Sequence, residues 1–347
     1  MNRTINTGIV GYGKSAKFFH VPLLKAAEGF TVRSILQRNK SDSKLDFPDA
    51  RLVRDMKDLL KDDQLDLVII TSPNAVHFEQ AFAALNAGKH VVVEKPFTVT
   101  SVEAKKLIKL ASDNKLILTI FQNRRWDGDF LTLKEVIESG RLGKIVEFES
   151  TYNRFRNQLI DHAWKEKEVP GSGILYDLSP HLIDQTLMLF GLPGKIYADI
   201  SAQRGGDADD RFDLMLFYPD IKVMLRAGML VPEDTPRFIL RGTKGSFIKY
   251  GLDPQERDLA NGISPKNKGW GKEPQENWGA LYIESDGDLK KENVETRPGN
   301  YPFFYEELRN SILNKCEPPV LPQTGMHIIQ IIEKAVESNE GEKAIDF

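Results

Sequence analysis

The chain has 347 residues, which is more than one hydrophobic core usually holds, so its length predicts two domains. Hydrophobic residues make up 41% and charged residues 28%, as is typical of a soluble globular protein. The 47 Lys and Arg nearly balance the 50 Asp and Glu, so no strong net charge favours binding to nucleic acid or to an anionic membrane.

The single cysteine, Cys316, excludes an internal disulfide, and no ligand spacing in the sequence predicts a metal site. No apolar run approaches the length needed to cross a bilayer. The first ten residues, MNRTINTGIV, lack the apolar core of a signal peptide. These features predict a cytoplasmic protein with no membrane partner.

The first third of the chain alternates between two kinds of segment. Apolar runs typical of strands cover 5–10, 31–36, 65–70, 90–93 and 116–121. Segments with helical periodicity lie between them, at 16–27, 56–61, 77–87 and 102–112. Because apolar strands alternate with helices, the pattern predicts a parallel sheet covered on both faces. We therefore expect a doubly wound Rossmann domain of the α/β class over residues 1–122.

The pattern changes after residue 122. Helices are predicted at 129–138, 174–190, 302–314 and 325–337. Runs with β character between 197 and 250 are joined by short turn-rich connections, which are typical of antiparallel hairpins. Residues 251–279 are polar and predict a long loop. Residues 123–347 are thus expected to form an α+β domain with an open, mainly antiparallel sheet.

A glycine-rich turn follows the first predicted strand. Gly11, Gly13 and Ala16 have the spacing G-x-G-x-x-A between a strand and a helix. Gly11 would allow the tight turn, Gly13 would let the backbone approach a pyrophosphate, and Ala16 would keep the helix close to the strand. A plain glycine turn is the alternative. The context favours a dinucleotide site that also includes Tyr12 and Lys14, at a helix N-terminus that attracts anions.

The residues after the second predicted strand bear on the cofactor. NAD sites usually place an acid there, about 20 residues after the glycine turn, to bind the ribose 2′-hydroxyl. Here the strand is followed by the basic stretch QRNK, residues 37–40. Arg38 could lie against a 2′-phosphate, for which a planar guanidinium is well suited. An exposed loop arginine is the alternative, but the pattern favours NADP over NAD.

A lysine ends the apolar strand HVVV, within the motif Glu-Lys-Pro at residues 94–96. The proline favours an extended backbone at Lys95. Ligands of open α/β sheets bind at the carboxyl ends of the strands, where this lysine is expected. The segment ITSPNAVH, residues 70–77, ends the preceding strand in the same crevice. Lys95 is therefore either a solvated strand end or a cation placed beside a ligand.

The glycine turn, the T-S-P-N-x-x-H segment and the E-K-P motif together resemble the glucose-fructose oxidoreductase, inositol dehydrogenase and rhizopine-catabolism (Gfo/Idh/MocA) family of NAD(P)-dependent oxidoreductases. The resemblance covers nearly the whole chain. It implies that Lys95 contacts both the nicotinamide end of the cofactor and the substrate hydroxyl. It also implies cofactor contacts at Ser72, Asn74, His77 and Glu94.

The family's second-domain pattern is matched by GSGILYDLSPHLID, residues 171–184. Asp177 and His181 are four residues apart and share one face of a helix, and Asp184 follows three residues later. Taken alone, such a pair is more often a surface pair. With the resemblance, His181 is expected to move the substrate's proton and Asp177 to orient it. Pro180 can be accommodated if the helix begins nearby, since only a first turn tolerates proline.

Within the family, the resemblance is strongest to NADP-dependent members that act on scyllo-inositol. It extends to NRRWD (123–127), YNRFR (152–156) and SFIKYG (246–251). It implies that Arg124, Tyr152 and Arg154 hold a polyol and that Trp164 packs by the nicotinamide, although each could be structural instead. Three histidines could line the cleft or serve in packing: His20, His77 and His162.

The sequence therefore predicts reversible hydride transfer between nicotinamide and a secondary alcohol of a polyol or sugar, with scyllo-inositol and scyllo-inosose as the best expected pair. An aldose or keto-sugar dehydrogenase or reductase is the alternative chemistry. A non-catalytic NADP sensor is the alternative class, although a sensor needs neither Lys95, Asp177 nor His181. The open second-domain sheet predicts a homodimer or homotetramer, as is common in the family.

Overall fold

The computed structural model describes residues 3–160, 163–285 and 287–347, and the chain divides into two compact units. The first unit comprises Met1–Asn123, Gln255–Trp270 and Tyr301–His327. The second comprises Arg124–Pro254, Gly271–Asn300 and Ile328–Phe347. The chain therefore returns twice to the first unit after leaving it. A domain boundary at residue 122 stays a prediction.

The first unit contains a parallel sheet of six strands. They are β1 Ile5–Val10, β2 Phe30–Leu36, β3 Arg51–Val53, β4 Leu67–Ile70, β5 His90–Val93 and β6 Leu118–Ile120. Their order is β3-β2-β1-β4-β5-β6, so β1 and β4 are neighbours where the order reverses. Ligands of doubly wound folds bind outside the carboxyl ends of the strands at this point. The predicted Rossmann fold class is confirmed.

Helices of both units lie between and after the strands. They are α1 Val21–Ala26, α2 Ser43–Asp46, α3 Met56–Leu60, α4 His77–Asn86, α5 Ser101–Asp113, α6 Gly128–Glu138, α7 Gly173–Phe190, α8 Gln255–Ala260, α9 Pro302–Asn314 and α10 Pro322–Gly341. None of these described helices is both long and apolar enough to span a bilayer.

The single helix expected over 16–27 is instead two segments. A π-helical turn, Ala16–His20, leads into α1, whose second residue is Pro22. Proline has no N–H for an i→i−4 bond and its ring crowds the carbonyl of residue 18, so a regular α-helix cannot run through this position. The loop expected over 251–279 likewise contains the short helix α8, which belongs to the first unit.

The second unit contains a mainly antiparallel sheet of nine strands. They are β7 Ile145–Thr151, β8 Lys195–Ser201, β9 Arg211–Phe217, β10 Lys222–Gly228, β11 Phe238–Gly242, β12 Gly245–Lys249, β13 Gly279–Ser285, β14 Asp288–Val294 and β15 Ile345–Asp346. The order is β14-β13-β12-β11-β7-β10-β9-β8-β15, and β7 runs parallel to β10. Side chains alternate along β9 between buried and half-buried, so one face of the sheet joins the core.

The helix α7 carries the predicted proton-transfer pair and begins at a glycine that the fold requires. Gly173 has φ +77°, and a Cβ there would overlap the carboxylate of Asp209. Asp209 accepts a 2.7 Å bond from the N–H of Leu175, so its carboxylate caps the helix from a distant segment. Helix α7 agrees with the helix predicted over 174–190, but Pro180 lies at its eighth position, well past the first turn that tolerates proline most easily.

Asp209 makes stability depend on pH, because burial raises its pKa from 3.8 to about 6. A raised pKa means that the folded protein binds this proton more tightly than the unfolded chain does. The contribution of Asp209 to the free energy of unfolding should therefore fall, by on the order of 2 kcal/mol, as pH rises from about 4 to about 6.

Asp209→Asn keeps an acceptor for Leu175 and removes the titration, so the decline should flatten in this variant. Denaturant midpoints measured at half-unit pH intervals would detect the difference. Asp207→Asn, at an exposed position two residues away, serves as the control and should follow the wild type. An unchanged decline in Asp209→Asn would contradict the assignment.

Candidate active site

The glycine turn after β1 has the geometry that a dinucleotide requires. Gly11 has φ +90°, and a Cβ there would lie 3.2 Å from the backbone of Thr71 and Ser72. No described protein atom lies within 4 Å of where a Cβ of Gly13 would stand, so the backbone is left open to a ligand. Ala16 is fully buried, where a larger side chain would separate helix from strand. These residues fit the pyrophosphate of NAD(P).

Two side chains of the same turn have different surroundings. Tyr12 is buried and its hydroxyl donates a 2.6 Å bond to Asp46. Burial raises the pKa of this phenol far above its ordinary value, and the neighbouring Asp46 raises it further. Lys14 is exposed, with its ammonium 5.7 Å from the centre of the Phe18 ring. Tyr12 thus fastens the turn to α2, and Lys14 stands at the surface.

The residues expected to follow β4 lie at its carboxyl end. The Ser72 hydroxyl donates to Gln80 at 2.6 Å, and Asn74 is buried in a one-turn 3₁₀-helix. His77 is fully buried, with Nδ1 2.8 Å from the carbonyl of Pro96 and Nε2 2.9 Å from that of Ser72. Burial outweighs these carbonyls and lowers the pKa of His77. Its ring therefore joins the ends of β4 and β5 through backbone contacts.

Lys95 follows β5 at the same edge of the sheet and is half-buried. Its backbone N–H donates a 3.0 Å bond to the carboxylate of Glu94. The Lys95–Pro96 peptide bond is cis. Within the first unit, Gly11, Ser72 and Lys95 thus follow three adjacent parallel strands, as the sequence predicts.

Glu94, expected as a cofactor contact, is a buried carboxylate whose bonding partners the sequence did not predict. Glu94 is 7% exposed and accepts hydrogen bonds from the hydroxyl of Ser15 and from Nε2 of His20, which is 3.0 Å away. The other ring nitrogen of His20 lies 2.6 Å from the hydroxyl of Tyr305. Burial alone would raise the pKa of Glu94, but the bonds from His20 and Ser15 and the charge of Lys95 outweigh it, and the pKa is lowered.

This cluster, Ser15–Glu94–His20–Tyr305, joins the glycine turn, the strand end and a helix from late in the chain. His20 is completely buried, so of its two expected roles it has the structural one. No sequence signal links Tyr305 to the other three, because 285 residues separate it from His20.

The second unit places the predicted proton-transfer pair on α7. Asp177 and His181 are four residues apart on this helix and share a face. The Asp177 carboxylate is 2.6 Å from the ammonium of Lys165, which also lies 5.7 Å from the centre of the Trp164 ring. His181 is 5% exposed. Lys165 therefore connects Trp164 with the acid expected to orient His181, a contact that the sequence did not predict.

The three residues expected to hold a polyol also lie together. Tyr152 is buried, and its hydroxyl is 2.7 Å from a guanidinium nitrogen of Arg124. The guanidinium carbons of Arg124 and Arg154 lie 4.9 Å and 5.0 Å from the centre of the tyrosine ring. A further arginine, Arg237, lies 5.5 Å from the same centre and is bonded to Ser150 at 2.6 Å. Three cations thus surround one aromatic ring.

Asp184 and His162 are the two remaining residues that the sequence singled out. Asp184 forms a paired ionic contact with Arg125, at 2.8 Å and 2.6 Å, and is buried in it. It therefore fixes α7 rather than facing a ligand. His162 lies outside the described residues. Within the described part of the chain, no three side chains of the metal-binding types cluster together. A common site for Lys95 and His181 stays a prediction.

Comparison with known proteins places these features in a family. Residues 5–122 match the NAD-binding Rossmann fold of the Gfo/Idh/MocA oxidoreductase family, and residues 134–347 match its C-terminal alpha/beta domain. The uncharacterized oxidoreductase YdgJ of Escherichia coli (strain K12) is 42% identical over 339 residues, 97% of each chain.

A curated sequence and a solved structure from Bacillus subtilis are also similar. The scyllo-inositol 2-dehydrogenase (NADP(+)) IolW of strain 168 is 39% identical over 343 residues, 99% of this chain and 96% of its own. The solved structure of the oxidoreductase yvaA has a TM-score of 0.97 at 38% identity, and the match covers 100% of this chain and 99% of that one. The chain therefore belongs to the Gfo/Idh/MocA family of oxidoreductases, and residues 5–122 are the family's NAD(P)-binding Rossmann fold.

Proposed function

We propose that this oxidoreductase transfers a hydride between NADP and a secondary alcohol of a polyol or sugar, with scyllo-inositol as the leading substrate. The observation that supports this most directly is that Lys95 and the glycine turn lie at the same carboxyl edge of the parallel sheet. IolW, which is similar over nearly the whole chain, is named a scyllo-inositol 2-dehydrogenase (NADP(+)). This supports the choice of scyllo-inositol and of NADP.

The bound nicotinamide would supply or accept the hydride. Lys95 would stabilise the negative charge that develops on the substrate oxygen, the kind of electrostatic contribution that is usually largest in such sites. His181 would accept the hydroxyl proton during oxidation and return it during reduction. Asp177 would orient the histidine, and its bond to Lys165 holds the carboxylate in place.

The preference for NADP rests on the loop after β2. Arg38 is exposed there, Lys40 lies two residues further on, and no acid occupies the position that would bind a ribose 2′-hydroxyl. Cofactor contacts are proposed for Gly11, Gly13 and Lys14, and Trp164 is proposed to pack by the nicotinamide.

A polyol fits the residues proposed to bind the substrate. Arg124, Tyr152 and Arg154 place two guanidinium groups and a phenol hydroxyl around one ring, and such polar groups suit a molecule with many hydroxyls better than an apolar one.

Lys95→Ala and His181→Ala test the proposed catalysts. Each should lower kcat/KM for scyllo-inositol oxidation about a hundredfold to a thousandfold, because each removes one stabilising or proton-accepting group. If both act on one alcohol, the double variant should lose less than the product of the two effects. Lys105→Ala, exposed on α5, and His327→Ala are the matched controls and should keep wild-type rates. Wild-type rates in both active-site variants would refute these roles.

A substrate panel with both nicotinamide cofactors tests the choice of substrate. We expect NADP reduction to be fastest with scyllo-inositol among inositols, aldoses and other polyols. A higher kcat/KM with an aldose would move the assignment to an aldose or keto-sugar enzyme. Tight NADP binding with no turnover of any alcohol or ketone would favour the sensor instead.

We further propose that the protein forms a homodimer or homotetramer through its nine-stranded sheet. A row of mostly apolar side chains crosses the sheet on the face opposite the core: Tyr197, Met215, Met224, Glu149, Ile239, Ile248 and Ala280. Met215 and Met224 are half-buried, and Tyr197 is 38% exposed. A mostly apolar row of this kind on a sheet face outside the core is typical of an interface.

Met224→Glu should dissociate this assembly, because it would bury a second carboxylate beside Glu149. Light scattering should give a mass near the 39.3 kDa monomer for the variant and a multiple of it for the wild type. Leu45→Glu, at a position 88% exposed in the first unit, is the control for adding an acid. A monomeric wild type would contradict the proposal.

A further inference from the structure

The loop after β2 is held by a residue that no motif includes. Arg54 directly follows β3, the edge strand beside β2. One of its terminal nitrogens donates to the carbonyl of Gln37 at 2.5 Å, to that of Arg38 at 3.4 Å and to that of Lys40. The other donates to the hydroxyl oxygen of Ser41 at 3.0 Å. A single guanidinium therefore binds four groups of a five-residue loop.

The same loop is fixed at its two ends. The N–H of Gln37 bonds to the carbonyl of Val53 at 3.1 Å, which continues the pairing of β2 with β3. At the far end, Asp42 accepts hydrogen bonds from the side chains of Gln37 and Lys17. Arg54 acts on the middle of the loop, where Arg38 and Lys40 are exposed to solvent.

We infer that Arg54 is a positioning residue that sets the preference for a 2′-phosphorylated cofactor by holding Arg38, Lys40 and Ser41 in place. The inference rests on the proposed use of NADP. Because Ser41 accepts a bond from Arg54, its hydroxyl proton is directed away from Arg54 and can be donated to an anion.

This arrangement discriminates between the two cofactors. A 2′-phosphate is an anion that needs several donors at fixed positions, and charge-assisted hydrogen bonds weaken when the donors are not in place. The 2′-hydroxyl of NAD makes no comparable demand on this loop. Loosening the loop should therefore weaken NADPH binding much more than NADH binding.

The test measures binding without turnover, by the fluorescence of NADPH and NADH titrated with the full-length protein. Arg54→Met should raise the Kd of NADPH about tenfold and that of NADH less than twofold. Arg54→Lys should raise the Kd of NADPH by an intermediate factor, because an ammonium has three donors and cannot span all four acceptors. If the methionine variant misfolds, the lysine variant provides the same comparison.

Arg51→Met is the matched control. Arg51 is an exposed arginine three residues earlier, and its guanidinium bonds to the carbonyl of Asp58 at 2.6 Å, outside the loop. The Arg51→Met variant should bind NADPH as tightly as the wild type does. Equal loss in both arginine variants would mean that net charge alone matters, and this would overturn the inference.

A mutant cycle separates positioning from direct contact. If Arg54 acts by holding Arg38, Lys40 and Ser41, then adding Arg54→Met to a variant that already carries Arg38→Ala, Lys40→Ala and Ser41→Ala should weaken NADPH binding little further. If Arg54→Met instead weakens NADPH binding by the same factor with and without these side chains, Arg54 contacts the phosphate itself. This result would contradict a positioning role. A wild type that binds NADH more tightly than NADPH would refute the proposed cofactor itself. A wild-type preference for NADPH that survives Arg54→Met would refute only the present inference.

Discussion

One buried carboxylate organises the nucleotide-binding half of the protein. Glu94 accepts bonds from Ser15 in the glycine turn, from His20 in the π-helical turn and from the backbone of Lys95. An ionised acid in such a place is tolerated only because each oxygen has donors. The position of the proposed catalytic lysine and the conformation of the turn that fits a pyrophosphate therefore depend on the same group. His77 adds a second connection, since its ring contacts the carbonyls of Ser72 and Pro96.

In the second unit, contacts from several segments hold a single helix, α7, in place. Asp209 caps the start of α7, Arg125 pairs with Asp184 in its middle, and Lys165 holds Asp177 on its partly exposed side. These partners come from segments far apart in the chain. A helix that carries a proline at its eighth position is thereby kept in place along most of the length that bears His181. Rigid support of this kind is what a proton-transfer residue needs.

Local patterns in the sequence account for much of this architecture. The apolar strands of the parallel sheet and the glycine spacing follow from neighbours a few residues apart, and both have their expected place. What escaped prediction depends on contacts between distant residues. The strand β7 alternates acids with apolar residues and was missed, although it lies between β10 and β11. The bonds of Asp209, Tyr305 and Arg54 likewise have no local signature.

The placement of Tyr305 has a consequence for how the protein is made. Its ring packs edge-on against Phe30, and its neighbour Phe304 packs in the same way against Phe121, so the first unit lacks part of its aromatic core until α9 has been added. When only the first 123 residues have emerged from the ribosome, the nascent chain exposes hydrophobic surface that α9 would cover. The nucleotide-binding half therefore completes its folding late in synthesis, after most of the other half has emerged.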